Sequence, residues 1–93
     1  MNNYELTMLF SVEDDGKAKK EALKKLKEYV KKVNGVVVKE NSWGVKDLAY
    51  TIKKQDTADY EHYVLEMDPK DQVKIDAVLR LEEGILRYLF VRV

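Results

Sequence analysis

Few side chains of this sequence are of the kinds that perform catalysis or bind metals. The only histidine, His62, has no nucleophile or ligand set beside it, which is typical of a surface or packing residue. No glycine-rich phosphate loop, HExxH motif or serine elbow occurs. The absence of cysteine excludes a thiolate metal site and a disulfide framework. We therefore predict no enzyme activity, no metal site and no cofactor.

The charged clusters have ordinary structural interpretations. Asp14-Asp15 is expected to cap the first helix, and Glu82-Glu83 is expected to lie in an exposed loop after the second. Lysines are dense in the first helix and at first sight resemble a nucleic-acid patch. We interpret them as the solvent face of that helix, with stems that shield apolar surface. They are Lys17, Lys19, Lys20, Lys24, Lys25, Lys27, Lys31 and Lys32.

The aromatic residues could stack on RNA bases or pack in a core. The chain has six tyrosines, one tryptophan and two phenylalanines. Tyr29 and Tyr63 lie on apolar faces of their elements and are predicted to be core residues. Tyr50, Tyr60 and Tyr88 fit either role.

Residues 43–54 combine a strand pattern with groups that a core strand does not need. Successive strand side chains point to opposite faces, so one face carries Lys46, Leu48, Tyr50 and Ile52. The more polar residues between them point the other way. One face can pack while the other meets a partner.

The length of 93 residues indicates one small domain, residues 1–93. Hydrophobic residues at 45% and charged residues at 37% are typical of a soluble globule. No apolar run approaches the roughly 20 residues of a membrane span. The first residues lack the basic and then apolar pattern of a signal peptide. We therefore expect a cytoplasmic protein. A net charge of zero argues against an independent, sequence-blind nucleic-acid binder but permits a local basic patch.

Apolar periodicity predicts six elements along the chain. Strands are expected at residues 4–12, 36–54, 60–67 and 85–93. The first has a period of two, with one apolar face made of Tyr4, Leu6, Met8, Phe10 and Val12. One helix is expected between Gly16 and the Asn34-Gly35 cap, and a second begins at Asp68-Pro69. Residues 41–44 are predicted to form a bulge and residues 55–59 a polar turn.

The order strand, helix, strand, strand, helix, strand predicts an α+β fold, the ferredoxin-like βαββαβ plan. Its four-stranded antiparallel sheet has two helices packed on one face, because the crossovers are right-handed. The other face stays open as a binding surface. An RNA recognition motif would carry a basic-Gly-aromatic run on its third strand, which residues 60–67 lack. An acylphosphatase would need a glycine-rich, arginine-bearing anion loop, which is also missing.

Several motifs together resemble one family. Tyr4-Glu5 opens the first strand, Trp43-Gly44 leads into residues 48–52 (Leu-Ala-Tyr-Thr-Ile), Ala58-Asp59-Tyr60 begins the third strand, and residues 85–91 fit the last. This pattern is similar to that of the bacterial small-subunit ribosomal protein six family, across essentially the whole chain.

The resemblance implies a structural constituent of the small ribosomal subunit in the cytoplasm. Such a protein pairs with ribosomal protein eighteen and, as that heterodimer, binds the central domain of small-subunit rRNA. By position in the matching motifs and by chemistry, the RNA contacts would be made by Tyr4, Lys46, Tyr50, Lys53, Lys54 and Arg87. The protein contacts would be made by Trp43, Leu48 and Tyr60.

The chain also departs from the family pattern. Asn2 and Asn3 stand where members often have basic residues, only Lys46 is basic in residues 45–47, and Thr51 replaces a common proline. Fewer positive charges should weaken direct RNA binding and increase dependence on the partner. The rival hypothesis is a small-molecule-sensing regulatory domain of the same plan, for which Gly16 near the first strand-to-helix turn is weak support.

Overall fold

The computed structural model describes residues 2–12, 16–82 and 84–93. Its elements confirm the predicted order. They are β1 (Asn2–Phe10), α1 (Lys17–Lys32), β2 (Val36–Ile52), β3 (Gln55–Met67), α2 (Pro69–Arg80) and β4 (Ile85–Arg92). All strand pairs are antiparallel, and the strand order is β2-β3-β1-β4. The outer strands are therefore β2 and β4.

The core lies between one face of this sheet and both helices. Alternate side chains of β1 are buried, as its period of two predicted. They pack against apolar residues that recur at helical spacing in α1 and α2. The two helices contribute Ala22, Leu26, Val30, Ile75 and Leu79 to the core.

Helix α1 differs from expectation at both ends. Gly16, with φ of +80°, occupies the N-cap position, and the predicted cap Asp14-Asp15 lies outside the described residues. At the other end Asn34 takes the left-handed conformation, with φ of 62°, that we expected of Gly35. Gly35 is needed for close packing instead, because an added Cβ would lie 3.0 Å from the Glu66 carbonyl oxygen. Tyr29, predicted to be core, is 37% exposed, so that prediction was wrong.

Strands β2 and β3 form the predicted hairpin, but its turn is not where we expected it. The turn consists of Lys53 and Lys54, with φ of 48° and 64°, and Ile52 pairs with Gln55 across it. Two positive φ values are the pattern of a type I′ hairpin turn. The predicted bulge at 41–44 is confirmed by a register shift between Ser42 and Gly44. Residues 55–59 are part of β3.

Helix α2 begins as predicted, with Asp68 at the N-cap and Pro69 in the first turn. Proline fits there because its missing N–H would have no helical partner. Leu81 follows the last turn and is 82% exposed. Gly84, just before β4, lies close to α1: an added Cβ would be 2.6 Å from the Cβ of Ala18.

Candidate nucleic-acid interface

The strand register defines which side chains share the face of the sheet without helices. Leu9 pairs with Tyr60 on one side and Arg87 on the other, and Thr7 pairs with His62 and Leu89. Directly opposed residues of antiparallel strands point to the same face. Because the even-numbered side chains of β1 are buried under the helices, these odd-numbered ones face away from them. We call this side the open face.

An aromatic cluster lies on the open face where β2 bulges. The rings of Trp43 and His62 stack with centroids 4.8 Å apart and 7° between their planes. The Lys46 ammonium lies 5.6 Å from the Trp43 ring centroid and 5.8 Å from that of Tyr60. These distances are within the range of cation–π attraction. The cluster joins Trp43 and Tyr60 with Lys46, three residues that the sequence singled out.

His62 makes few polar contacts within the described residues. Its Nε2 lies 3.8 Å from a Glu5 oxygen, and its buried Nδ1 has no hydrogen-bond partner there. Its place beneath the tryptophan ring confirms a packing role for the only histidine.

The outer half of the β2–β3 hairpin, residues 46–58, reaches across to β4. We call it the hairpin arm. The Nη1 of Arg87 donates a hydrogen bond to the hydroxyl of Tyr50, and the guanidinium carbon lies 5.5 Å from the Tyr50 ring centroid. Since β2 and β4 are the outer strands of the sheet, this contact spans its whole width. The arm thus brings Tyr50 to Arg87, both of them predicted RNA contacts.

The arm carries cations that lack acidic partners. Lys46, Lys53 and Lys54 are exposed, and none forms an ion pair with a carboxylate of the described residues. The same holds for Arg87. By contrast, Lys19, Lys25 and Lys27 of α1 are paired with acids. Lys20, Lys24 and Lys31 of α1 are also exposed and unpaired among the described residues, so the arm is distinguished by unpaired cations that lie beside exposed aromatic rings, as Lys46 does beside Trp43 and Arg87 beside Tyr50. Such cations attract an anionic ligand.

Tyr4 does not fit the predicted RNA contact. Its side chain is only 5% exposed, and its ring packs edge-on against Phe90 with centroids 5.6 Å apart. The period of two in β1 had placed Tyr4 on the buried face, whereas the family resemblance suggested that it contacts RNA. The side chain is buried, in agreement with the strand pattern.

The predicted protein contacts are partly accessible. Leu48 and Tyr60 are half-buried, and Trp43 is 45% exposed. Tyr88 packs on the helix side, where its hydroxyl donates to Asp76 Oδ1 at 2.9 Å.

The base of the arm is held from the helix side by a charge cluster that the sequence analysis missed. The Lys19 ammonium lies 2.7 Å from Asp59 and 2.6 Å from Glu61. Burial lowers the pKa of Lys19, but its bonds to Asp59 and Glu61 outweigh this, so that the pKa is raised. Asp59 and Glu61 lie at the same alternate positions of β3 as the buried Tyr63 and Leu65, and that position on an apolar face was the available signal for a basic partner.

Other classes of site find no support in the part of the chain that the structure describes. Residues 2–12, 16–82 and 84–93 contain no cluster of three or more His, Cys, Asp or Glu side chains suited to a metal ion. Neither helix there has the length and apolar character to span a membrane.

Comparisons with known proteins cover nearly the whole chain and match its fold. A model of the family described as ribosomal protein S6 matches residues 3–92. The small ribosomal subunit protein bS6 of Treponema denticola is 34% identical over 92 residues, covering 99% of this chain and 97% of that protein. The crystal structure of 30S ribosomal protein S6 from Thermotoga maritima has a TM-score of 0.90 and 19% identity, over 99% of this chain and 87% of that one.

These matches define a small-subunit ribosomal protein with a ferredoxin-like fold. The chain belongs to the ribosomal protein S6 family, a family of structural proteins rather than enzymes. This confirms the resemblance found in the sequence, the fold class, and the expected location on the cytoplasmic ribosome.

The same fold occurs outside the ribosome. The C-terminal domain of the MgtC protein from Mycobacterium tuberculosis has a TM-score of 0.69 and 12% identity, covering 100% of this chain and 88% of that one. At that identity the likeness concerns the fold alone.

Proposed function

We propose that this chain acts as a single domain, residues 1–93, that pairs with ribosomal protein eighteen and binds the central domain of small-subunit rRNA. The observation that carries the proposal is the set of unpaired cations on the hairpin arm and beside it. They are Lys46, Lys53, Lys54 and Arg87. In this role the protein is structural and needs no catalytic group, cofactor or small-molecule substrate.

The arm has the chemistry of an RNA contact. Arginine and lysine side chains bind phosphate oxygens, and such contacts set the position of a protein on RNA without reading its sequence. Tyr50, 60% exposed, adds a ring against which an unpaired base can stack. We place the RNA on Lys46, Tyr50, Lys53, Lys54 and Arg87. Tyr4 is omitted because its ring is buried.

The open face has the chemistry of a protein contact. Trp43 is 45% exposed, and Leu89 and Val91 of β4 are 63% and 42% exposed. Large apolar side chains gathered on one face mark an interaction surface more often than isolated ones do. Trp43 and Tyr60 lie on this face, and we propose that they and Leu48 contact ribosomal protein eighteen. A partner also explains the net charge of zero, since it would supply positive charge that this chain lacks.

A titration tests the proposal. A fluorescently labelled central-domain rRNA fragment is titrated with this protein, with ribosomal protein eighteen, and with both, at one fixed physiological salt concentration. We expect tight binding only with both proteins. A variant with Lys46, Lys53 and Lys54 changed to glutamine should bind more weakly. The matched control changes Lys20, Lys24 and Lys31 of α1, which are exposed and unpaired among the described residues.

The outcomes separate the alternatives. Equal losses in the two triple variants would show that the arm has no special role. No binding with both proteins present would overturn the proposal and return attention to the ligand-sensing hypothesis.

A further inference from the structure

A groove of about 420 Å³ separates the hairpin turn from the C-terminal end of α2 and the start of β4. Its size falls within the range of roughly 300–1,000 Å³ usual for sites that hold small organic groups. The strand-to-strand contact between Tyr50 and Arg87 keeps the arm close to β4 beside this groove. The side chains that define it are Lys53, Arg80, Leu81, Glu82, Leu86 and Arg87.

The charge balance of the groove favours an anion. Of its three cations, Arg80 is paired with Asp76 at 3.1 Å, whereas Lys53 and Arg87 have no carboxylate partner among the described residues. Glu82 is the one acid among the described residues that line the groove, and its carboxylate lies 3.4 Å from the ammonium of Lys25 of α1. An arginine has five N–H donors, so Arg87 can hold Tyr50 and still bind a phosphate.

The groove also has an apolar side. Leu81, which follows the C-terminal end of α2, lies at the rim of the groove. It is 82% exposed and therefore packs little against the core. Leu86, 8% exposed, and Ile85, 5% exposed, form part of the wall of the groove. A ligand that is complementary to the whole groove therefore has an anionic group and an apolar surface.

We infer that this groove holds a single unpaired nucleotide of the RNA. Its phosphate lies between Lys53 and Arg87, and its base lies against Leu81. Bases of loops and bulges are available for such contacts, whereas those of helical RNA are stacked and paired. The inference rests on the proposed function and adds to it a defined nucleotide site with a residue, Leu81, that carries no charge.

Two adjacent lysines provide the sharpest test. Lys53 and Lys54 occupy the same turn with similar backbone conformations, but only Lys53 lines the groove. We measure the affinity of each variant, with ribosomal protein eighteen, for the rRNA fragment. Lys53→Gln should weaken binding about tenfold, as loss of a charged hydrogen bond does, and should lower the salt slope by about one. Lys54→Gln removes a cation of the arm that lies outside the groove, so it should also weaken binding, but less than Lys53→Gln does.

Two further pairs of variants separate a nucleotide site from general attraction. Leu81→Ala should weaken binding several-fold, whereas Val73→Ala, a change of another exposed apolar residue, on α2, should have no effect. Arg87→Gln should weaken binding at least as much as Lys53→Gln, and Arg92→Gln at the exposed end of β4 should have little effect. All six positions are exposed, so that circular dichroism can verify that each variant folds.

Equal losses for Lys53→Gln and Lys54→Gln, together with no loss for Leu81→Ala, would overturn the nucleotide site while leaving RNA binding intact. If the wild-type proteins together fail to bind the fragment, the proposed function itself is wrong and the site falls with it.

Discussion

The hydroxyl of Tyr50 accepts a hydrogen bond from Arg87, and the guanidinium also lies over the tyrosine ring, 5.5 Å from its centroid. The two residues belong to the outer strands β2 and β4, which do not pair with each other. The contact therefore ties the hairpin arm to the far edge of the sheet. It brings the arm's lysines and Arg87 together on one surface.

Replacing Tyr50 should loosen the arm without unfolding the protein. Tyr50 is 60% exposed, so Tyr50→Ala should lower the free energy of unfolding by less than about 1 kcal/mol, the worth of an exposed cation–π contact. Amide hydrogen exchange in residues 46–58 should become faster, and binding to the RNA complex should weaken. Tyr50→Phe, which keeps the ring and loses only the hydroxyl, serves as the control. A large loss of stability in Tyr50→Ala would show that the ring belongs to the core.

Replacing the two lysines of the hairpin turn should stabilise the protein but weaken its binding to RNA. Lys53 and Lys54 both have positive φ, which glycine and asparagine adopt at lower cost. The double variant Lys53→Asn/Lys54→Gly should therefore raise the free energy of unfolding by about 1–2 kcal/mol. It should also weaken RNA binding, because two cations are lost. Urea denaturation and the RNA titration measure the two effects.

A variant at a second left-handed position, away from the arm, is the control for the effect of backbone strain alone. Asn34, with φ of 62°, follows α1. Asn34→Gly should stabilise the protein slightly and leave RNA affinity unchanged. If the turn variant binds RNA as tightly as the wild type, the two lysines have no role in the contact.

Lys19 should contribute more to stability than its neighbours do. Removing it leaves Asp59 and Glu61 close together and without their cation, and the three side chains are at most 20% exposed. Lys19→Met should lower the free energy of unfolding by about 1–3 kcal/mol. Lys20→Met, at an exposed position next in sequence, should have little effect. Adding Glu61→Gln to Lys19→Met should recover part of the loss, because it removes the repulsion.

The same cluster makes the stability fall at high pH. Burial lowers the pKa of Lys19 but the bonds to Asp59 and Glu61 raise it more, so that the folded-state pKa exceeds the ordinary 10.5. A group of this kind stabilises the fold fully below its unfolded pKa and loses that effect as pH rises through its folded pKa. Burial also raises the pKa of Tyr63, with the same sign of effect. The difference in unfolding free energy between wild type and Lys19→Met should therefore shrink above pH 10.5.

Gly84 sets the distance between α1 and the start of β4. A Cβ at this position would lie 2.6 Å from the Cβ of Ala18, so Gly84→Ala should lower the free energy of unfolding by about 1–3 kcal/mol through overpacking. Ala18→Gly in the same chain makes room and should restore part of that loss. Gly44→Ala meets no atom within 4 Å and tests the cost of its φ of +80° alone. Thermal denaturation of the three variants would show whether contact is the cause; no rescue by Ala18→Gly would contradict it.

The fold follows from patterns that the sequence displays locally. The period of two in β1, the helical spacing in α1 and the Asp68-Pro69 start of α2 each predicted the observed element. The predicted turn was wrong because residues 55–59 have turn-forming types, whereas Lys53-Lys54 has none. Tyr29 was wrongly predicted to be a core residue because helical spacing alone does not show where the apolar face of α1 ends and its solvent-exposed face begins.

The site was less accessible to sequence reasoning, since it depends on distant contacts. Nothing in the sequence indicates that Tyr50 meets Arg87, or that Lys19 meets Asp59 40 residues later. Tyr4 illustrates the reverse: its strand pattern correctly placed it in the core, and only the family resemblance suggested RNA binding. The groove next to Leu81 appears only when the arm is seen to reach β4.

Lysine acylation footprinting of the assembled complex tests the central claim most directly. The protein is treated with a lysine-acylating reagent alone, with ribosomal protein eighteen, and with that protein and the rRNA fragment, and modified sites are read by mass spectrometry. We expect Lys46, Lys53 and Lys54 to become protected in the complete complex, while Lys20, Lys24 and Lys31 of α1 stay reactive. Protection of the α1 lysines with continued reactivity of the arm would contradict the account, because it would place the RNA on the helical side of the protein.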